Sequence, residues 1–333
     1  MIQDASRESN RLVQARFLEG RMTEITDFKT GAAEKLIAYL VSDRALQSIE
    51  QDPYWPKWDS PWWHMTLLWE LGLVKRIPAV IVKHMIRALN THYERFLPIK
   101  IEEIPAGRDK IRHFPCHCGL GTMYRVLFSY GVDVDFELPW IRPWFLRYQL
   151  PDGGLNCDEK VYMKPNPKSS IVSTLPPLEA VLLCTPRPFT QEENIFLDRG
   201  AEYLIAHKLF RSANRDGKII NENWLKLCLP RFYEYDILRG LTFLVKWAKV
   251  RGKPVPINAI SETLEILNGR FPNGQIIIER LVWKGGKTLA IDSGGNWGMG
   301  HPASEFDLLS QVSQLGKPSE HLSRFWQESK GSG

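Results

Sequence analysis

Asp59-Ser60-Pro61-Trp62-Trp63-His64-Met65-Thr66-Leu67-Leu68-Trp69-Glu70-Leu71-Gly72 is an apolar segment with a start signal at one end and a stop signal at the other. Asp and Ser accept hydrogen bonds from the free N–H groups of a first helical turn, and proline tolerates that turn because its missing N–H would have no partner there. Glycine just past a helix takes the left-handed conformation that closes the last carbonyls. The same punctuation recurs. Apolar segments begin at or just after Pro61, Pro115, Pro167, Pro230 and Pro302, spaced 54, 52, 63 and 72 residues apart. Four of them end at Gly72, Gly131, Gly252 and Gly316. The segment after Pro167 is interrupted at Pro176-Pro177, an alternative start for its helix. Spacings of this size fit one helix pair per repeat.

Second helical patterns fill the intervals: 77–96, 139–149, 191–208, 257–267 and 319–328. Two more helices, near 3–19 and 30–50, bring the count to six pairs. The strand signals lie in 275–292, where Ile276-Ile277-Ile278 and Thr288-Leu289-Ala290-Ile291 flank Gly285-Gly286 as a hairpin. The expected fold is therefore all-α, a single (α/α)6 toroid spanning 1–330, with a β-hairpin insertion near 275–292. The N-terminal pair covers 1–50 and the repeats 59–330. In such a ring the inner helices run parallel, so their N-termini gather unsatisfied N–H groups at one mouth.

Composition excludes several classes. The 333 residues carry a net charge of +5, with 24% charged and 44% apolar side chains, so disordered and disulfide-scaffold readings fall away. Basic residues form no run, which argues against nucleic acid. No apolar run approaches the ~18 residues of a spanning helix, and the N-terminus has no signal-peptide core. Five cysteines, an odd number, fit reduced thiols in a cytoplasm.

Gln149-Leu-Pro-Asp152-Gly153-Gly154-Leu155 resembles the glutamine-tryptophan repeat of squalene cyclases and protein prenyltransferases, and Arg270-Phe-Pro-Asn-Gly274-Gln275 resembles a decayed copy. The stretch from Leu209-Phe210-Arg211 through Gly217, Trp224 and Pro230 to Tyr235-Asp236-Ile-Leu-Arg239 is similar to bacterial prenyltransferase/squalene-oxidase-repeat proteins. The resemblance covers about 59–316. It implies the toroid with a central cavity, and a hydrophobic or isoprenoid-type ligand, anionic-headed, handled by cyclase- or transferase-type chemistry. Leu155 replaces the repeat's usual aromatic residue. Asp133-Val-Asp135-Phe-Glu137 lacks the third aspartate of a cyclase acid and reads as a helix start.

Candidate site residues fall into five groups. Cys116, His117 and Cys118 open one inner helix, and Cys157 follows the Gln149–Leu155 turn. The three thiols are candidate zinc ligands and His117 a candidate catalytic base. On helical spacing, however, Cys116 and Cys118 lie about 200° apart. Trp62 and Trp63 are candidate cavity walls, stacking on a ligand, with His64 beside them as a catalytic candidate. Tyr233, Tyr235, Asp236 and Arg239 offer an inward carboxylate oriented by a cation. Lys168, with Ser169 and Ser170 at a helix N-terminus, is a candidate phosphate site. Trp297 and His301 belong to the glycine-rich run Ser293–His301, expected to fold over the mouth as a lid. Two other classes remain open: a carbohydrate-active (α/α)6 hydrolase or lyase using paired carboxylates, and a non-catalytic scaffold holding a peptide or partner segment. Oligomeric state is not readable.

Overall fold

A computed structural model describes residues 30–98, 100–213 and 217–330. The helix expected at 3–19 lies outside them. Among the described residues the chain forms thirteen α-helices and one two-stranded antiparallel ribbon. The helices are α1 (Thr30–Leu40), α2 (Asp43–Gln51), α3 (Pro61–Glu70), α4 (Ala79–His92), α5 (His117–Tyr130), α6 (Val134–Glu137), α7 (Ile141–Arg147), α8 (Ile171–Leu183), α9 (Gln191–Ala206), α10 (Ile237–Arg251) and α11 (Ile257–Arg270). The strands β1 (Lys287–Ile291) and β2 (Trp297–Pro302) follow, then α12 (Asp307–Val312) and α13 (Glu320–Lys330). None of these helices is long and apolar enough to cross a membrane.

The most extensively buried helices are α3, α5, α8 and α10. Every residue of α3 is buried, which explains why its sequence shows no polar stripe. Each of these helices packs on the next, and α10 packs on α13. At the other end of the chain α12 packs on α1, and α1 on α3. Lys35 pairs with Asp307 at 2.8 Å, and the His64 ring stacks on Phe306 at 4.1 Å. The more polar helices α9 and α11 lie against α8 and α10.

The boundaries depart from the sequence reading in three places. Residues 30–50 form two helices, because the Ser42 hydroxyl caps α2 by accepting from the Ala45 N–H. Pro176 and Pro177 sit inside α8, not at its start. Alongside them α5 comes so close that a Cβ on Gly121 would lie 2.5 Å from the Pro176 carbonyl carbon. The ribbon is shifted as well. It runs over 287–302 and turns at Asp292–Asn296, with Asp292 accepting from the N–H groups of Gly294 and Asn296. Ile277 bridges Pro318 instead of β1. Half of the expected lid, including Trp297 and His301, is therefore strand β2.

Candidate metal centre and cavity

Three thiols converge from two segments. Cys118 Sγ lies 3.4 Å from Cys116 Sγ and 3.7 Å from Cys157 Sγ, and all three sulfurs lie within 4.8 Å of one another. The helical-spacing objection fails because Cys116 is not helical. It is the N-cap of α5, extended at φ −90° and ψ 145°, with its sulfur accepting from the Gly119 N–H. That turn of backbone swings its thiol back onto Cys118.

Cys157 arrives through the Gln149–Leu155 turn. Gln149 Nε2 donates to the carbonyls of Gly153 and Phe196. Leu155, where the repeat normally has an aromatic residue, is fully buried, and its N–H donates to Thr174 Oγ1. The paired glycines are steric requirements. Gly153 has φ +96° with Arg199 O against it, and a Cβ on Gly154 would lie 2.5 Å from Ser169 Cβ. One residue beyond Asn156, the Cys157 N–H donates to Ser173 Oγ at 3.1 Å, which fixes its sulfur over the start of α8.

His117 stands between the two α5 cysteines but turns away from their sulfurs. Its Nδ1 accepts from Trp144 Nε1 at 3.1 Å and its Nε2 lies 3.3 Å from Tyr162 Oη. Burial lowers its pKa to about 4, so it is a neutral, hydrogen-bonded core histidine and not a free base. Through Tyr162, whose hydroxyl also meets the Tyr148 and Asn156 carbonyls, it braces the loop that carries Cys157.

The three thiols are placed to hold a metal ion. Tetrahedral coordination with Zn–S near 2.3 Å needs sulfurs about 3.8 Å apart, with the fourth position left open in a three-ligand site. The separations of 3.4 and 3.7 Å to Cys118 are within a few tenths of an ångström of that value, and the third lies within 4.8 Å. The S–H groups of Cys116 and Cys118 hold Cys157 well below the ordinary thiol range. Tyr54 and Tyr233 lie next to the cluster, half-buried, with desolvation pushing their phenols well up. Lys57 Nζ donates to Tyr233 Oη at 2.9 Å. Tyr54 and Lys57 were not singled out in the sequence; nothing in their spacing marks them.

The tryptophans behave differently from expectation. Trp62 and Trp63 are 2% and 0% exposed. Their rings contact each other, Tyr54 and Tyr233, and Trp63 also contacts Trp58 and Phe232. The indoles fill the space assigned to a cavity wall. Trp58 and Phe232, 5.0 Å apart, both hold left-handed backbone, at φ 67° and 55°. Side chains with a Cβ pay for that conformation by about 1–2 kcal/mol, held here by close packing.

Beyond Phe232 lies a cavity with about 570 Å³ of space free of protein atoms, its open mouth included. It is lined by Glu70 of α3, Arg125 of α5, Glu179 of α8, Arg239 and Lys246 of α10, and Arg231, with Trp69, Phe243, His321 and Phe325 among the other wall residues. Of the side chains expected in a cavity, Arg239 is there. Its partner is not Asp236: Nε and Nη2 donate to Glu179, which also takes Arg125. Asp236 instead caps α10, accepting from the Arg239 N–H at 2.8 Å, and pairs with Arg231 through both oxygens. Glu70 accepts from the backbone N–H groups of Arg231 and Phe232. Both oxygens of Glu70 and Glu179 are therefore engaged, and the cavity offers no uncommitted carboxylate pair. The sequence signal for this site was a charge inside an otherwise apolar helix, at Glu70, Arg125 and Glu179.

The remaining candidates are apart from both places. His64 is buried against Phe306 and Tyr39, with its pKa lowered to about 3 by desolvation, which makes it a core residue. Tyr235 is fully buried and donates to Leu209 O. Lys168 is exposed. The expected phosphate position beside it is taken by Asp152, which accepts from the Ser169 N–H and hydroxyl. Trp297 lies 4.0 Å over the Arg112 guanidinium. His301 contacts Gly298 within β2. The ribbon is anchored where Thr288 Oγ1 accepts from the Lys57 N–H at 2.7 Å.

No family model matches the chain, and neither a curated protein nor a solved structure is similar to it.

Proposed function

We propose that this chain is a prenyltransferase- or cyclase-like α/α toroid that holds one zinc ion through Cys116, Cys118 and Cys157 and presents the ion's fourth position to a small molecule. The convergence of three sulfurs from segments 39 residues apart carries the reading. The toroid rests on the packing succession α3, α5, α8, α10, α13, with α12 returning to α1 and α1 to α3. The turn at Gln149–Leu155, built as a glutamine-anchored corner, supports the same architecture. Cys116 and Cys157 retain partial solvent exposure while Cys118 is buried, as suits a centre that a ligand reaches from one side. Bound zinc would act as a Lewis acid and lower the pKa of a ligand at that position. The protein's own part is to pre-position the thiols, to brace Cys157 through His117 and Tyr162, and to wall the site with Tyr54 and Tyr233. The carbohydrate and scaffold alternatives have no comparable observation behind them.

Elemental analysis of the purified protein, with cobalt substitution, tests this. One equivalent of zinc is expected, and cobalt should give the intense charge-transfer absorption of three thiolate ligands. A metal-free protein that takes up neither ion would overturn the proposal.

A further inference from the structure

We propose that the thiol cluster is also a site of reversible oxidation, where a hydroperoxide joins Cys118 to Cys157 as a disulfide. The joining rests on the sulfurs alone; only its effect on a bound ion rests on the metal reading above. Cys118 Sγ lies 3.7 Å from Cys157 Sγ, on segments 39 residues apart. Two sulfurs at that distance touch, and a disulfide asks for a further approach of roughly 1.7 Å. Side-chain rotation brings much of it. The hydrogen bond that fixes Cys157 runs from its backbone N–H to Ser173 Oγ and places no restraint on the thiol itself.

Cys116 is the thiol left out. Its sulfur caps α5 by accepting from the Gly119 N–H at 3.3 Å. A sulfur drawn into a disulfide would abandon that N–H at a helix start, where no carbonyl of the helix replaces it. Pairing Cys116 with Cys118 meets a second obstacle, although those sulfurs are nearer, at 3.4 Å. The ring so closed would span only His117, whose imidazole is held at both nitrogens by Trp144 Nε1 and Tyr162 Oη. Exposure sets the order of events. Cys157 is partly exposed and Cys118 is buried, so the oxidant meets Cys157 first and Cys118 resolves the product.

Cys157 Sγ attacks one oxygen of the hydroperoxide. The S–O bond forms, the O–O bond breaks, and the leaving alkoxide or hydroxide takes up the thiol proton. Cys157 is then a sulfenic acid, and the peroxide has been reduced to an alcohol or water. Cys118 Sγ attacks the oxidised sulfur. The S–S bond forms, the S–O bond breaks, and hydroxide leaves as water with the Cys118 proton. The two thiols together give up two electrons, and a dithiol reductant restores them by exchange. The disulfide takes two of the three sulfurs placed to hold a metal. Oxidation and metal occupancy therefore exclude each other, because Cys116 alone does not make a zinc site.

The test treats the full chain with hydrogen peroxide, alkylates it with N-ethylmaleimide and maps the tryptic peptides by mass spectrometry. Released zinc is followed with a chromophoric indicator. A disulfide should join peptide 113–125 to peptide 148–160, with Cys116 alkylated and dithiothreitol reversing the link. Its formation should outpace loss of the buried Cys184 and Cys228 thiols at least about tenfold, and zinc should appear in step with it. Cys118→Ser should accumulate a Cys157 sulfenic acid that dimedone traps, with no link. If that variant does not fold, the wild-type map still decides. A link that includes Cys116, oxidation spread evenly over all the cysteines, cluster thiols unchanged in excess peroxide, or a link formed with zinc still bound would each overturn the proposal. A chain that carries no zinc yet forms the Cys118–Cys157 link would sink the metal reading and leave the oxidation site standing.

Discussion

Cys157→Ser isolates the metal proposal. The substitution is nearly isosteric and leaves the Cys157 N–H bond to Ser173 Oγ in place, so the loop should keep its path. Only one sulfur is removed from a group whose members lie 3.4 and 3.7 Å apart. Structural zinc in four-ligand peptides binds with about 10–16 kcal/mol, or roughly 3–4 kcal/mol per ligand. A neutral hydroxyl recovers little of a thiolate's share. A site of three thiolates that loses one should therefore bind zinc about 100- to 1000-fold more weakly, at 1.4 kcal/mol per factor of ten. The assay is competition against a chromophoric chelator, with stoichiometry read by elemental analysis. Cys228→Ser and Cys184→Ser are the controls, because both residues are buried thiols outside the cluster. If Cys157→Ser binds zinc within threefold of wild type, the sulfurs are neighbours by packing alone and the reasoning fails.

Other consequences follow from the same contacts. Gly154→Ala places a Cβ 2.5 Å from Ser169 Cβ and 2.7 Å from Thr174 Oγ1, so thermal unfolding should show a loss of about 1–3 kcal/mol. Gly269→Ala, in α11 with nothing within 4 Å, should instead gain up to about 1 kcal/mol; the opposite ranking would refute the steric account. Glu179→Gln leaves Arg125 and Arg239 buried against a neutral amide, and urea unfolding should report a loss of about 3–5 kcal/mol, against near-neutrality if the pairs are incidental. Burial lowers the pKa of His64, His117 and His321 to about 3, 4 and 3, while an unfolded histidine titrates near 6.5. The unfolded chain therefore takes up protons first as pH falls. Stability should be level above about pH 6.5 and decline below it, by at most about 1.4 kcal/mol per pH unit for each histidine. Urea midpoints that stay flat from pH 7.5 to 5 would contradict the burial of these rings.

Much of the helical framework was legible from local chemistry. Pro61 opens α3, Gly131 and Gly252 close α5 and α10 in left-handed conformations, and Asp133 caps α6. Caps and glycine stops act within one turn, so a short stretch of sequence contains the whole cause. The ribbon was read one element too early for a different reason: Ile276-Ile277-Ile278 has strand character, but it pairs with Pro318 far along the chain. Pro176-Pro177 did not act as a stop, and α8 runs through both.

The residue types of the site were visible, and their roles were not. Cys116, Cys118 and Cys157 could be named from sequence as candidate ligands, yet helical spacing argued against two of them, and only the extended N-cap at Cys116 brings their sulfurs together. Trp62, Trp63, His64, His117 and Asp236 have the composition of an active site, but which way each side chain points is fixed by what packs on it: Phe232, Phe306, Trp144 and Arg231. The cavity was the reverse case, because Glu70, Arg125 and Glu179 looked like isolated charges until three helices brought them together. By itself the sequence determined where most of the helices lie, since caps and glycine stops depend on contacts a few residues long. Only the tertiary structure decided which polar groups meet, because burial and charge pairing are settled between segments tens to more than a hundred residues apart.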